Sequence, residues 1–214
     1  MNIEIRDITK KYKTKYVFQG FSLTISDNQI VGLYGRSGTG KSTLLSLMAG
    51  LDIPEAGSIH VDGEPLPHSF AKLAEYRRRK LGIVPQSFML LHYKTVFYNI
   101  ALPFLYSKEK ENLKQKITQL AEELEIAHLL EKKPTELSEG ERQRVAISRA
   151  VITNPEMILA DEPTSALDEM TQALVKNLFL NQKKRGATII FSSHNKLFGD
   201  FADEIVELPL NGHA

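Results

Sequence analysis

The sequence predicts an α/β fold: a parallel sheet covered on both faces, beside a small antiparallel sheet, with a helical block inserted. Two observations carry this. Strand-like apolar runs alternate with helical segments through the later part of the chain, the pattern of a parallel sheet built from strand–helix units. The first sixty or so residues, by contrast, are mostly strand-like, and a largely helical block at about 71–140 breaks the alternation.

The elements read in order as follows. IEIRDI (3–8) alternates apolar and polar, VFQGFSLTI (17–25) is rich in β-formers, and QIVGLYG (29–35) is a short buried run. SIHVDG (58–63) follows a turn at Pro54 to Gly57 and ends on Asp62-Gly63, a hairpin signal. These runs are expected to form the small antiparallel sheet, next to the loop GRSGTGKS at 35–42. FAKLAEYRRRKLG (70–82) is helical and basic, and LGIVPQ (81–86) is a strand stopped at Pro85. Residues 108–131 form one amphipathic helical stretch or two short helices, whose lysines and glutamates mark a solvated face. Then come a helix at 139–153, a buried strand EMILAD at 156–161, a helix at 169–186 ending at Gly186, a strand ATIIFSS at 187–193 and a last strand at 203–209.

The bulk numbers narrow the function classes. At 214 residues the chain suits one domain, with 1–70 and 141–214 as the core with its β portion and 71–140 as a helical subdomain. Lys+Arg number 27 against 26 Asp+Glu, so there is no basic excess to argue for a nucleic acid partner. The absence of cysteine excludes disulfides and thiolate metal sites. MNIEIRDITKKYK has no apolar signal-peptide core, and no apolar run approaches the roughly 20 residues of a spanning helix. A soluble protein is expected, with any membrane role exercised through a partner.

The chemistry starts at GRSGTGKS, which fits the phosphate-binding pattern G-x-x-x-x-G-K-[ST] between a buried strand and a helix. Gly35, Gly38 and Gly40 let successive backbone N–H groups turn toward phosphate oxygens, and the helix N-terminus favours an anion. Lys41 supplies a charge to the β- and γ-phosphates and the Ser42 hydroxyl is suited to Mg2+. EMILADEP ends a strand in two carboxylates. Alone, Asp161 and Glu162 could merely cap the Pro163-Thr164 turn. Beside a phosphate loop, Asp161 suits Mg2+ and Glu162 can act as general base on a water. LSEGE (137–141) is a capping box, Ser138 with Glu141. Ser138 and Gly140 at that helix start also form a second anion site, one that suggests a nucleotide held by another copy.

Taken together, these residues resemble the ATP-binding subunit of ABC transporters, over nearly the whole chain and in order. The resemblance implies a P-loop NTPase fold with a RecA-like parallel core, and ATP with Mg2+ as ligands. It makes Gly35, Arg36, Ser37, Gly38, Thr39, Gly40, Lys41, Ser42 and Thr43 the Walker A loop. Tyr12 becomes the aromatic stacked on adenine, and Gln86 in IVPQS the glutamine reaching Mg2+ and the reaction site. Ser138, Gly140 and Glu141 fall in the signature motif, and Asp161 and Glu162 in Walker B with its catalytic glutamate. Ser165 to Asp168 match the D-loop, and His194 the switch histidine. Ser42, Gln86 and Asp161 are then the metal-side residues, and Lys41, Gln86, Glu162 and His194 the catalytic ones. Glu139 and Glu141 stand where glycine and glutamine are usual, and Asn195 where aspartate is frequent. The charge of Glu141 near a nucleotide is expected to weaken closure.

By the same resemblance, two copies pair head to tail around two ATP, and a membrane permease docks near 86–106 at the cytoplasmic face of the membrane. YNIALPF and RRRKLGIVPQ look most like the branch of macrolide-export, lipoprotein-release and cell-division ATPases. An exporter of peptides, lipoproteins or hydrophobic drugs is therefore expected. The runner-up is a regulatory ATPase of the cell-division type that signals through a membrane partner without transport. A soluble member acting on DNA or ribosomes is disfavoured, since the chain has one cassette and no long coiled coil.

Overall fold

The computed structural model describes residues 1–105, 111–194 and 196–208. Two sheets organise them. The first is antiparallel, in the order β2-β1-β4-β5, from β1 (Ile3–Tyr12), β2 (Lys15–Ile25), β4 (Ala56–Val61) and β5 (Glu64–Pro65). The second is parallel, in the order β6-β7-β8-β3-β9, from β3 (Ile30–Tyr34), β6 (Leu81–Val84), β7 (Met157–Asp161), β8 (Thr188–Ser192) and β9 (Glu204–Glu207).

Two of the sequence expectations change here. The run at 29–35, grouped with the antiparallel strands, is β3 of the parallel sheet, between β8 and β9. All five of its residues are buried, which is what a strand covered on both faces requires and what a one-sided antiparallel strand does not. Second, β6 is the edge strand of the parallel sheet although it lies inside the block expected to be helical at 71–140. The helix before it, α2 (Phe70–Lys80), also packs on the core: Tyr76 contacts the apolar cluster that holds Leu81 and Met157.

The alternation of side chains along the parallel strands divides the interior in two. Val31, Leu33, Leu159 and Ile190 face a cluster shared with α1 (Lys41–Met48) and the antiparallel sheet, through Leu44, Leu47, Ile3, Ile5 and Phe18. Ile30, Tyr34, Ile158, Ala160, Ile189 and Phe191 face the opposite cluster. There they meet α5 (Glu139–Val151) and α6 (Glu169–Lys184), and the core continues into α3 (Val96–Ala101) and α4 (Leu113–Glu123). The expected 108–131 helix is thus α4 followed by a short 3-10 turn at Ala127–Leu129, with 108–110 outside the described residues. Likewise 209 and Asn195 lie outside them.

The helix starts are local. Ser69, Thr95, Ser138 and Asp168 each accept the backbone N–H three residues on, capping α2, α3, α5 and α6. The α1 start differs. Gly40 sits there at φ +99, and a Cβ added to it would lie 2.6 Å from Val17 and 2.7 Å from Phe18, so the phosphate loop can only run this close to the antiparallel sheet with glycine.

Candidate functional site

A cleft of about 540 Å3 opens where the loop before α1, the ends of β7 and β8 and the hairpin of β1 and β2 meet. Its position follows from topology: in parallel sheets the carboxyl ends of the strands carry the loops that bind ligands. Tyr12, Ser37, Gly38, Gly40, Lys41, Ser42, Thr43, Gln86, Asp161, Glu162 and His194 all line it. Residues separated by more than 150 positions in sequence therefore share one space. Lys15, Val17 and Ser165 line it too. Ser165 belongs to the segment matched to the D-loop, whereas Lys15 and Val17 carry no motif of their own and enter the site because their strand faces Tyr12 across a tight hairpin.

Lys41 is buried, and its Nζ donates to the carbonyls of Gly35 at 2.8 Å and Arg36 at 3.4 Å. The ammonium is thus held inside the curve of its own loop. Thr39 ties the same loop, its Oγ1 donating to the Arg36 carbonyl at 3.0 Å. Gly35, Arg36 and Thr39 shape the cradle from behind rather than lining it.

At the opposite wall the two carboxylates are held differently. Asp161 Oδ1 accepts from Ser192 Oγ at 2.6 Å, and Ser192 Oγ accepts from the Glu162 N–H at 2.9 Å. Glu162 has φ +50, a left-handed conformation uncommon for a side chain of its size. Its carboxylate is 13% exposed, and Oε2 lies 3.0 Å from Nδ1 of His194, which is 71% exposed. The histidine thus reaches the acid from the solvent side.

The aromatic at the far end is anchored. Tyr12 OH donates to Asp52 Oδ2 at 2.7 Å, while Asp52 Oδ1 accepts from the buried Lys10 ammonium at 2.7 Å and from the Ile53 N–H at 2.8 Å. Burial pushes the Tyr12 hydroxyl above its ordinary pKa, and the hydrogen bond to Asp52 adds to it. For Asp52 burial acts upward, but the Lys10, Tyr12 and Ile53 hydrogen bonds outweigh it and hold the carboxyl below its ordinary value.

Ser138, Gly140 and Glu141 are not among the residues that line the cleft. Both readings of LSEGE bear on Ser138. The capping box is formed: Glu141 Oε2 accepts from the Ser138 N–H at 2.7 Å and from Ser138 Oγ at 2.8 Å. The backbone N–H bond chiefly holds the Glu141 carboxyl below its ordinary value, burial opposing. Gly140 packs against the D-loop, where an added Cβ would lie 3.0 Å from the Ala166 carbonyl.

The donor set fits a nucleotide triphosphate with a hard divalent cation. Among the described residues no group of three or more His, Asp or Glu could hold a metal by itself. Ser42, Gln86 and Asp161 supply oxygens on one cleft, and Mg2+ is typically held by one or two carboxylates together with phosphate oxygens and water.

Comparison with known proteins decides the family. The ABC transporter profile matches residues 18–165. The chain belongs to the ABC transporter family. It is an ATP-binding domain that hydrolyses ATP and works with Mg2+. It is 38% identical over 213 residues to the lipoprotein-releasing system ATP-binding protein LolD of Geobacter metallireducens, covering 96% of this chain and 95% of that protein. It is 37% identical over 198 residues to the methionine import ATP-binding protein MetN 1 of Staphylococcus aureus, covering 90% of this chain and 58% of that protein. Its fold superposes with a TM-score of 0.90, at 31% identity and 98% and 95% coverage, on the dimeric post-hydrolysis ATP-binding cassette MJ0796 bound to ADP and Pi. A bacterial Atm1-family exporter with ATP bound gives 0.87 at 28% identity, covering 99% of this ATPase and 37% of that chain. The expected branch, with lipoprotein-release ATPases, agrees with the lipoprotein-releasing relative.

Proposed function

We propose that the ATPase works as a head-to-tail homodimer that drives a separate membrane permease, as an exporter of peptides, lipoproteins or hydrophobic drugs. One observation carries the dimer: the phosphate cleft and the Ser138/Gly140 helix start are separate features of one chain, and the signature residues do not line its own cleft. A second copy would bring its Ser138 hydroxyl and Gly140 N–H to the γ-phosphate. The dimeric cassette among the structural relatives supports this. Export is supported by the lipoprotein-releasing relative, 38% identical over 96% of this ATPase.

In this reading Gly38, Gly40 and the first N–H groups of α1 bind the phosphates, with Lys41 as the charge between them. Ser37 and Thr43 line the same wall, and Tyr12 carries the adenine ring. Ser42, Gln86 and Asp161 would hold Mg2+, which when bound neutralises charge on the β- and γ-oxygens. Glu162 orients the attacking water and takes its proton at the carboxylate. His194 sets that carboxylate through the Nδ1 contact and stabilises charge on the γ-phosphate. The Ser138 hydroxyl first has to leave Glu141, so the extra charge of Glu141 tells against closure through a hydrogen bond as well as through repulsion.

The permease would dock over 86–106 on the cytoplasmic face of the membrane. Supporting this, a second groove of about 360 Å3 shares Gln86 with the nucleotide cleft and is flanked by exposed apolar residues, Met89 at 69% and Leu51 at 59%. No helix among the described residues is long and apolar enough to cross a membrane. The test is a tagged Glu162→Gln variant expressed in its native host. It should bind ATP, stall, run as a dimer by light scattering and co-purify a multispanning permease from solubilised membranes with Mg-ATP. A monomer with ATP bound would overturn the head-to-tail model, and only soluble partners would overturn the transporter role.

A further inference from the structure

Ser192 ends a strand that is buried along its whole length, and its own side chain is fully buried. The parallel register pairs it with Asp161. Paired residues on adjacent strands point to the same face, so the hydroxyl of one meets the carboxylate of the other. The direction of its bonds is forced. The Glu162 N–H can only donate, so Ser192 Oγ accepts there, at 2.9 Å, and its single proton goes to Asp161 Oδ1, at 2.6 Å. One hydroxyl therefore links the side chain of the metal-side carboxylate to the backbone of the next residue. That residue needs the anchor. Glu162 is held at φ +50, and conformations of this kind persist only where the surroundings over-determine them. Ser165 adds to the anchor from the other side, its N–H and Oγ donating to the Glu162 carbonyl at 3.3 and 3.2 Å.

We infer that Ser192 is a positioning residue for Mg-ATP, which sets the rotation of the Asp161 carboxylate and the backbone of Glu162 as one unit. Ser192 is not among the residues that line the cleft and would act through Asp161 and Glu162. Its hydrogen bond occupies Oδ1, so Oδ2 is the Asp161 oxygen that would serve Mg2+. The same hydroxyl keeps the Glu162 carboxylate aimed into the cleft. Partners of this kind, which orient a metal-side ligand, typically alter metal affinity or activity by about 10–100-fold when removed. The inference rests on the roles proposed above for Asp161 and Glu162.

The test measures equilibrium binding of a fluorescent ATP analogue to the purified chain, once with Mg2+ and once with EDTA. Ser192→Ala removes one oxygen and leaves the shape of the strand unchanged. Its affinity in EDTA should stay within about twofold of the parent, because Lys41 and the loop N–H groups are untouched, while the gain from Mg2+ should fall by about tenfold. Ser192→Thr, which keeps the hydroxyl on a β-branched side chain suited to a strand, should restore the gain. Turnover should fall in parallel, with half-saturation by Mg2+ shifted upward. The inference is overturned if Ser192→Ala keeps the parental Mg2+ gain, or if affinity drops equally in EDTA. Asp161→Asn separates the two levels. If it leaves the Mg2+ gain intact, the role proposed for Asp161 fails and the inference with it. If it removes the gain and Ser192→Ala does not, Ser192 alone is at fault.

Discussion

Asp52→Ala tests how the aromatic wall of the cleft is held. The substitution removes three hydrogen bonds at once: Lys10 Nζ at 2.7 Å, Tyr12 OH at 2.7 Å and the Ile53 N–H at 2.8 Å. Lys10 is left buried, with its side chain 7% exposed, keeping the Ile53 carbonyl at 2.8 Å, Glu55 at 3.8 Å and the face of the Tyr12 ring at 5.1 Å. Hydrogen bonds to a charged group contribute about 1.5–3 kcal/mol each. Asp52 is 28% exposed, so the lower end applies, and the Lys10 and Tyr12 bonds together come to about 3 kcal/mol. For a chain of this length that lowers Tm by roughly 6–12 °C. Urea unfolding and thermal melts measure it. Freed from Asp52, the Tyr12 ring loses its fixed orientation, and KM for ATP should rise by about fivefold while kcat changes less than about twofold, equivalent to roughly 1 kcal/mol of binding. The effect has a pH signature. The Asp52 carboxyl is held below its ordinary value of 3.8, so its contribution is present above that value and is lost as pH falls through the lower, folded-state one. The stability gap between parent and variant should therefore be full at neutral pH and close in acid. A loss below about 1 kcal/mol, or a gap that persists in acid, would refute the account of the Lys10–Asp52–Tyr12 cluster.

Two further predictions follow from other sites. Asn99 is fully buried; its Oδ1 accepts from the Leu91 N–H at 2.7 Å and its Nδ2 donates to the Thr95 carbonyl at 2.9 Å and the Leu91 carbonyl at 3.2 Å. Asn99→Ala should cost about 3 kcal/mol at about 1 kcal/mol per bond, and hydrogen exchange at Leu91 should accelerate strongly if the loop ahead of α3 depends on this side chain. Gly40→Ala forces a Cβ to within 2.7 Å of Phe18 at a φ of +99, and should cost about 2–4 kcal/mol in a melt and abolish binding of an ATP analogue.

What could be read along the chain was whatever is contiguous. GRSGTGKS carries its glycines, its lysine and its helix start within eight residues, and LSEGE carries its own cap, because both depend on backbone and neighbours three or four positions apart. The strand of EMILAD ending in Asp161 and Glu162 was legible for the same reason. Partnerships were not. QIVGLYG shows that it is buried but not beside what, so its place between β8 and β9 in the parallel sheet rather than in the antiparallel one had to come from the fold. LGIVPQ likewise lies within a helical block by sequence and on the edge of the core sheet in space.

By itself the sequence determined the class of ligand, the phosphate loop and the acids that face it. Tertiary structure alone decided how those groups are held. Tyr12 meets Asp52 across 40 positions and Ser192 meets Asp161 across 31, and neither pairing has a local signal. The reason is physical. A phosphate loop is specified by the conformational freedom of adjacent residues, whereas a hydrogen bond between distant segments exists only once they pack together, and for Ser192 and Asp161 that needs the strand register set by burial of the core.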